Sequence, residues 1–297
     1  MVNYQTWLKE IDDNTRLSKL SIPGTHNSAA CHTALPSVQC QGKSVTDQLK
    51  HGVRFLDIRA GRQLIKNDDP KQELQVIHGK FPVRIPFPIQ LEDVLKEVYD
   101  FLDDNKSETV IVSLKQEGSN DWDNPNDEFP NLIWEKYVEP NKDKWYLNTD
   151  IPKVGDARGK AVLFRRFGVN NEDRKREFGF DAASWKYNTT DDDRGSFVVQ
   201  DFCEVQKADD IPTKINYVKD LANKAKDYTK DNDNKLFVNF TSASNFFDHD
   251  CWPQQIANAL LKSDVADKFE KGVGIIVLDY VESDDWKLSK KLVDSNF

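Results

Sequence analysis

An α/β fold closed into one (β/α)8 barrel of the TIM type is the fold class this sequence predicts, and three observations carry it. Eight apolar, β-branched runs of strand length recur along the chain, at residues 17–22, 54–59, 74–78, 109–115, 160–166, 197–201, 235–240 and 273–279. Polar segments, several of them with helical apolar spacing, separate the runs. No internal repeat divides the chain, so the alternation argues for one barrel domain spanning residues 1–297 rather than two smaller domains.

Taken in order, the first run leads into Pro23-Gly24-Thr25-His26-Asn27. A short helix at 44–51 precedes the second run, which ends Asp57-Ile58-Arg59, and the third run ends at His78-Gly79. Residues 91–102 repeat apolar side chains at helical spacing, and the fourth run then ends at Lys115. Residues 117–131, rich in Asn, Asp, Gly and Pro, and the charged stretch 168–195 read as excursions from the barrel on either side of the fifth run, which ends Arg165-Arg166. The sixth run closes on Gln200-Asp201, the seventh on residues 239–242 and the eighth on Asp279-Tyr280. Good helix formers fill 213–225, and Pro253 opens a helix at 253–261.

Composition narrows the function classes. Hydrophobic residues make up 38% and charged residues 31% of the 297, which suits a soluble protein with a sizeable core. Forty-one Lys and Arg against 50 Asp and Glu leave a net charge of −9 with no long basic stretch, so nucleic acid is not an expected partner. The same acidity opposes broad adsorption to anionic membranes, so membrane contact is expected to be local and apolar. No stretch approaches the roughly 18 apolar residues of a spanning helix. The start of the chain, Met1-Val2-Asn3-Tyr4, has no basic-then-apolar export pattern, which leaves a cytoplasmic protein or a secreted one whose leader has been removed. The cysteines Cys31, Cys40, Cys203 and Cys251 lack CxxC spacing and are expected as reduced thiols, with a Cys31–Cys40 bridge as the competing state in an exported protein. Dinucleotide, phosphate-loop and HExxH motifs are absent.

Chemistry collects at the ends of the runs, where a parallel barrel builds its site. Residues two apart on a strand share a face, so Asp57 and Arg59 set a carboxylate beside a guanidinium that could grip a phosphate. His26 and His78 both abut glycine at a strand end and could divide the two proton transfers of a phosphodiester cleavage. Asp279, at the end of the last strand, would neighbour the first in a closed barrel and could hold the tautomer of His26. His32, His51 and His249 are expected to be structural. Calcium requires converging oxygen ligands and Arg59 would repel it, while His26 and His78 have no Cys or His at zinc spacing in the sequence. No metal or other cofactor is therefore expected, calcium being the one left open.

These residues resemble a known family. Ser21-Ile22-Pro23-Gly24-Thr25-His26, then Gly52 through Arg59 (GVRFLDIR), then His78-Gly79, look like the catalytic X-region of bacterial-type phosphatidylinositol-specific phospholipases C. The likeness continues through Ser107-Glu108-Thr109-Val110-Ile111, Lys115, Val199-Gln200-Asp201, Asn239-Phe240-Thr241-Ser242 and Asp279-Tyr280, and so spans nearly the whole chain. It implies a distorted barrel, metal-independent, that cleaves phosphatidylinositol to diacylglycerol and inositol 1,2-cyclic phosphate. His26 would be the general base aided by Asp279, Arg59 would stabilise phosphoryl charge, His78 would be the general acid, and Asp57 would orient Arg59 or His78. Asn27, Lys115, Arg166, Asp201 and Cys203 match inositol-binding positions. Two of these depart from the pattern: Asn27 stands where metal-independent members carry Asp and calcium-dependent ones Asn, and Cys203 replaces an aromatic residue that stacks on the inositol ring.

Reaching a lipid requires apolar groups around the barrel mouth. Phe246, Phe247 and Trp252 after the seventh strand, and Phe81, Ile85 and Phe87 after the third, are the candidates for interfacial contact, with packing under a loop as their other reading. The expected partner is phosphatidylinositol in membranes, met by a monomer through peripheral contact only. Two other functions compete: a calcium-dependent phospholipase C or glycerophosphodiester phosphodiesterase on the same barrel, and a non-catalytic inositol-lipid binding module.

Overall fold

A computed structural model of the chain describes residues 2–31, 35–62, 74–118, 121–228 and 234–297. Twelve strands form its sheet: β1 (Ser21–Thr25), β2 (Phe55–Arg62), β3 (Leu74–His78), β4 (Phe81–Pro82), β5 (Val110–Gln116), β6 (Trp145–Tyr146), β7 (Ala161–Arg166), β8 (Phe180–Asp181), β9 (Thr189–Asp193), β10 (Phe197–Asp201), β11 (Leu236–Phe240) and β12 (Gly274–Leu278). Their order is β6-β7-β5-β2-β1-β12-β11-β10-β9. From β6 to β10 every neighbour is parallel, and β9 runs antiparallel on the far edge. This is a distorted barrel of the TIM type: among the described residues no backbone ladder joins the β6–β7–β8 edge to β9 and β10. Aromatic rings bridge that seam, with Phe197 of β10 6.0 Å from Phe164 of β7 and 5.9 Å from Phe180 of β8, centroid to centroid.

Two of the expected strands differ from the sequence reading, and one strand of the barrel was not expected. Residues 17–19 form a 3-10 turn, and the first strand is instead Ser21–Thr25, running on through Pro23 and Gly24. Gly24 is there because of close approach: a Cβ at this position would lie 2.9 Å from Phe55 Cδ1. Residues 74–78 do form β3, but it folds back antiparallel on the end of β2, pairing Ala60 with Val76, because the connection is too short for a helical crossover. The parallel path from β6 to β10 is completed by the unexpected β6, whose two residues are too few to register as an apolar run.

The helices follow their sequence signals. Ser44 caps the helix Val45–Lys50 by accepting the Asp47 N–H. In Leu91–Asp104 the buried residues Leu91, Val94, Leu95, Val98, Phe101 and Leu102 make one face, and Pro212 and Pro253 open Ile211–Asp227 and Pro253–Lys262. These faces cover the outside of the barrel, where they pack on Val112, Leu114, Leu163 and Ile276. The inside is a second core, in which Ile22, Phe55, Ile111, Phe164, Phe197, Val199, Val238, Phe240, Ile275 and Val277 fill the barrel axis. Two-residue alternation sorts the side chains between the two. Both expected excursions acquire structure of their own: 117–131, apart from 119 and 120, leads into the helix Glu128–Ile133, and 168–195 contains β8 and β9.

At the end of the barrel away from the histidines, Arg54 and Glu108 form a fully buried pair, Nη2 to Oε2 at 2.7 Å and Nε to Oε2 at 3.0 Å. The guanidinium also donates to the carbonyls of Leu49, Val53 and Gln5, tying the N-terminal segment to the strands. Glu108→Ala leaves a buried cation without its counter-charge. We expect a loss of about 3–5 kcal/mol, read as a lower urea midpoint at unchanged slope.

Candidate active site

Alternation that fills the barrel axis with apolar groups places polar ones one step further along the same inward rows. After Phe55 come Asp57 and Arg59; after Ile111, Ser113 and Lys115; after Phe164, Arg166; after Val199, Asp201; after Val277, Asp279. These rows end at a cavity of about 830 Å³ at the carboxyl ends of the parallel strands, lined by His26, Arg59, His78, Lys115, Glu117, Arg166, Asp201 and Cys203 among others.

His26 and His78 meet there edge to face, with ring centroids 5.8 Å apart. The Asp279 carboxylate accepts the His26 Nδ1–H at 2.8 Å, since β12 is the neighbour of β1. Asp279 is buried, and burial raises its pKa against the opposing pull of His26. Gln41 fixes the backbone beneath by donating to the carbonyls of His26 and Leu278, at 2.8 and 2.9 Å. His78 donates from Nδ1 to the Val38 carbonyl at 2.9 Å. Burial, with positive charge at His26 and Arg59, lowers its pKa to about 4.

Asp57 has no exposed surface and does not line the cavity. Its Oδ2 accepts Arg59 Nη2 at 2.9 Å and Nε at 3.1 Å, and also the Asn27 N–H at 3.1 Å, while Oδ1 accepts Arg166 Nη1 at 3.4 Å. Burial favours the neutral acid, but Arg59 and Arg166 outweigh it and hold the carboxyl well below the usual carboxylate range. Asp57 thus orients Arg59 and Arg166, and the alternative expectation, that it orients His78, is corrected by the Val38 carbonyl. The side chain of Asn27 is likewise not at the cavity wall. It is fully buried, its backbone has φ 40°, and its amide makes no hydrogen bond among the described residues.

Residues 14–167 match the family described as phosphatidylinositol-specific phospholipase C, X domain. The chain belongs to that family. It is 30% identical over 305 residues to a 1-phosphatidylinositol phosphodiesterase of Listeria monocytogenes, covering 95% of this chain and 82% of that protein. A relative of the same name from Staphylococcus aureus is 28% identical over 81% of this chain and 75% of its own length. Among solved structures, the phosphatidylinositol-specific phospholipase C from Listeria monocytogenes superposes with a TM-score of 0.74 at 26% identity, with all of both chains covered.

Within this phospholipase site, several residues escaped the sequence reading. Glu117 accepts Lys115 Nζ at 2.6 Å and the Gly79 N–H at 2.6 Å, and lies 3.6 Å from Arg59 Nη1. Burial is outweighed by Arg59 and Lys115, which bring its pKa down to about 2. Its place two residues beyond Lys115 was the available signal. Trp185 covers the Arg166 guanidinium at 3.8 Å and donates to Asp201 at 3.0 Å, and exposed Tyr187 hydrogen-bonds Glu204 at the rim; both come from the 168–195 excursion, where no periodicity marks them. Cys203 is part-exposed on the cavity wall.

Other expected polar ends turn away. Gln200 and Asn239 face outward, bonded to each other at 2.8 Å, and Gln200 accepts the buried Lys214 Nζ from the helix Ile211–Asp227. Arg165 also faces outward, 3.0 Å from Asp181. His51 stacks on Trp286, His249 is exposed beside Trp252, and His32 lies outside the described residues. Cys31, Cys40 and Cys251 are buried and Cys203 is part-exposed, all four as free thiols in the structure.

Among the interfacial candidates, Phe247 is 94% and Phe87 75% exposed, with Phe81, Ile85 and Phe246 also exposed. Phe81 and Phe246 stack at 6.2 Å, which joins the two groups into one rim above the cavity. Trp252 is part-buried and donates its indole N–H to the Phe246 carbonyl at 3.1 Å, so it supports the rim rather than forming its tip.

The low basicity of His78 is directly measurable. Site-resolved nitrogen NMR should show His78 neutral at pH 7 and half-protonated near pH 4, below the ordinary imidazole value of 6.5, because its charged form is the one burial and its cationic neighbours oppose. A midpoint near 6.5 would contradict the buried, cation-flanked setting described above.

Proposed function

We propose that this chain is a phosphatidylinositol-specific phospholipase C in which His26 and His78 divide the proton transfers around a phosphate gripped by Arg59. The observation that carries this reading is the convergence of two imidazoles and a charged guanidinium on one cavity wall. His26, with Nδ1 donated to Asp279, presents Nε2 as the base that takes the proton from the inositol 2-hydroxyl. The freed oxygen attacks phosphorus, the bond from phosphorus to the diacylglycerol oxygen breaks, and His78 returns a proton to that oxygen. The products are diacylglycerol and inositol 1,2-cyclic phosphate.

Arg59 remains charged because Asp57 and Glu117 outweigh its burial, so it meets developing phosphoryl charge without reorganisation. A neutral His78 in the free protein makes the substrate part of the acid. The phosphodiester anion between Arg59 and His78 favours imidazolium, offsetting the cationic neighbours that depress it. Lys115, Arg166 and Asp201 would hold inositol hydroxyls, a role supported by their contacts with Glu117 and Trp185 on the cavity wall. Cys203 offers a smaller, less stacking wall there.

The same pairings support catalysis without a metal. Three acidic groups at or beneath the cavity are already engaged: Asp57 with two guanidinium groups, Glu117 with Lys115, and Asp279 with His26. A calcium ion would have to compete with those fixed cations for its oxygen ligands. Phosphatidylinositol vesicles incubated with the protein in excess chelator should give the phosphorus NMR signal of a cyclic inositol phosphate, and His26→Ala should lower turnover by about 10²–10⁴-fold. Full turnover by that variant would remove the base assignment, and activity restored only by calcium would favour the calcium-dependent reading.

The apolar rim supports peripheral docking, in which side chains such as Phe247 and Phe87 enter the lipid interface while the acidic body stays in water. Replacing both Phe246 and Phe247 with Ala should weaken sedimentation with phosphatidylinositol-containing vesicles while leaving hydrolysis of a water-soluble monomeric substrate near wild type. Equal loss on both substrates would instead make the rim part of the cavity's own packing.

A further inference from the structure

Cys40 is fully buried, a free thiol, and unused in the cleavage described above. It sits on the loop that follows β1, yet its sulfur lies 3.8 Å from His78 Nδ1. One ligand atom from each of His26, Cys40 and His78 can be chosen so that all three lie within 4.8 Å of one another. The backbone at this cysteine is tied down on both sides: its N–H donates to the Ala30 carbonyl at 2.9 Å, and its carbonyl accepts the Tyr280 N–H at 2.8 Å. Sequence spacing could not show this cluster, because its three members belong to the end of β1, a loop and the end of β3.

Two imidazoles and a thiol form a nitrogen and sulfur donor set of the kind zinc selects, and one that calcium and magnesium do not. Each ring is already held through Nδ1 by an oxygen acceptor, Asp279 for His26 and the Val38 carbonyl for His78. For His26 this leaves the Nε2 lone pair available in the outer-shell pattern that orients histidines on a metal, whereas Cys40 Sγ approaches His78 on the Nδ1 side, so His78 would turn its ring or release Val38 to bind. Bond lengths of about 2.0–2.3 Å to zinc bring tetrahedral ligands to within roughly 3.3–3.8 Å of each other. The cluster is about 1 Å wider than that, a distance side-chain rotation can close. Nearby charge does not forbid a cation, since Arg59 is offset by Asp57 and Glu117, and Asp279 adds a further negative group.

We propose that His26, Cys40 and His78 form a zinc-binding site, and that zinc held there switches the phospholipase off reversibly by occupying both catalytic imidazoles. On binding, the Cys40 proton leaves to solvent and the thiolate becomes the third protein ligand. The inhibitory half rests on the function proposed above; the binding half does not.

The test has two arms. In the first, cobalt(II) is titrated into the chelator-treated protein as a spectroscopic stand-in for zinc. A thiolate-to-cobalt charge-transfer band is expected in the wild type, displaced by one equivalent of zinc, retained in Cys203→Ser and lost in Cys40→Ser. In the second, hydrolysis is measured in buffered zinc, each variant relative to its own zinc-free rate. Cys40→Ser should raise the half-inhibiting zinc concentration by at least about tenfold, and added chelator should restore the wild-type rate. No thiolate band in the wild type, or inhibition equally strong in Cys40→Ser, overturns the proposal. Because the cobalt band is read without turnover, it tests the site even if the protein proves inactive as a phospholipase or the variant fails to fold. An active enzyme indifferent to zinc would refute the switch and leave the catalytic reading intact.

Discussion

A carboxylate that never meets solvent organises the mouth of this barrel. Asp57 accepts hydrogen bonds from Arg59 on its own strand, from Arg166 on β7 and from the backbone that follows β1, so one side chain sets the relative positions of three strand ends. Burying it alone would be costly, and the two guanidinium groups that offset the cost are the ones the cavity needs charged. The electrostatic arrangement is consequently built before any substrate arrives. Glu117 repeats the device on the other side, holding Lys115 and the Gly79 backbone while facing Arg59.

This arrangement depends in turn on the barrel's alternation. The inward rows are apolar through the axis and ionisable only at their carboxyl ends, which places a dry core directly beneath the polar cavity. Where no backbone ladder closes the sheet among the described residues, Phe164, Phe180, Phe197 and Trp185 close it with rings, and Trp185 continues upward to cover Arg166. The seam is thus part of the cavity wall. The exposed phenylalanines rise from other loops above the same mouth, so the route from a lipid surface to the histidines is short and apolar at its entrance.

Two imidazoles close enough to share one phosphate are also close enough to share a metal ion. In this chain the nearby Cys40 sulfur turns that generic susceptibility into a specific donor set. The proposed metal-free catalysis and the proposed zinc site are therefore compatible, since each ring is held through Nδ1 by an oxygen acceptor. In the proposed mechanism the guanidinium supplies the positive charge that phosphate cleavage requires, and a metal at the imidazoles would remove the groups that move protons.

Much of this was legible in the amino-acid sequence. Apolar runs located β2, β5, β7, β10, β11 and β12, because a strand buried on both faces must be written in apolar residues, and the Gly-Thr-His, Asp-x-Arg and His-Gly order marked the strand ends that carry the site. Alternation then placed Asp57 beside Arg59, closure of the barrel put Asp279 beside the first strand, and the family resemblance singled out Asp201. The sequence was silent where the determining contact lies between segments far apart in the chain. Only the tertiary structure showed β3 folded back on β2, Gln200 and Asn239 turned outward to Lys214, Trp185 set over Arg166 and Cys40 brought against His78. The physical reason is one of range: strand and helix periodicities are local and recur in the sequence, whereas the approach of a loop to a site is set by packing between distant segments and leaves no periodic trace.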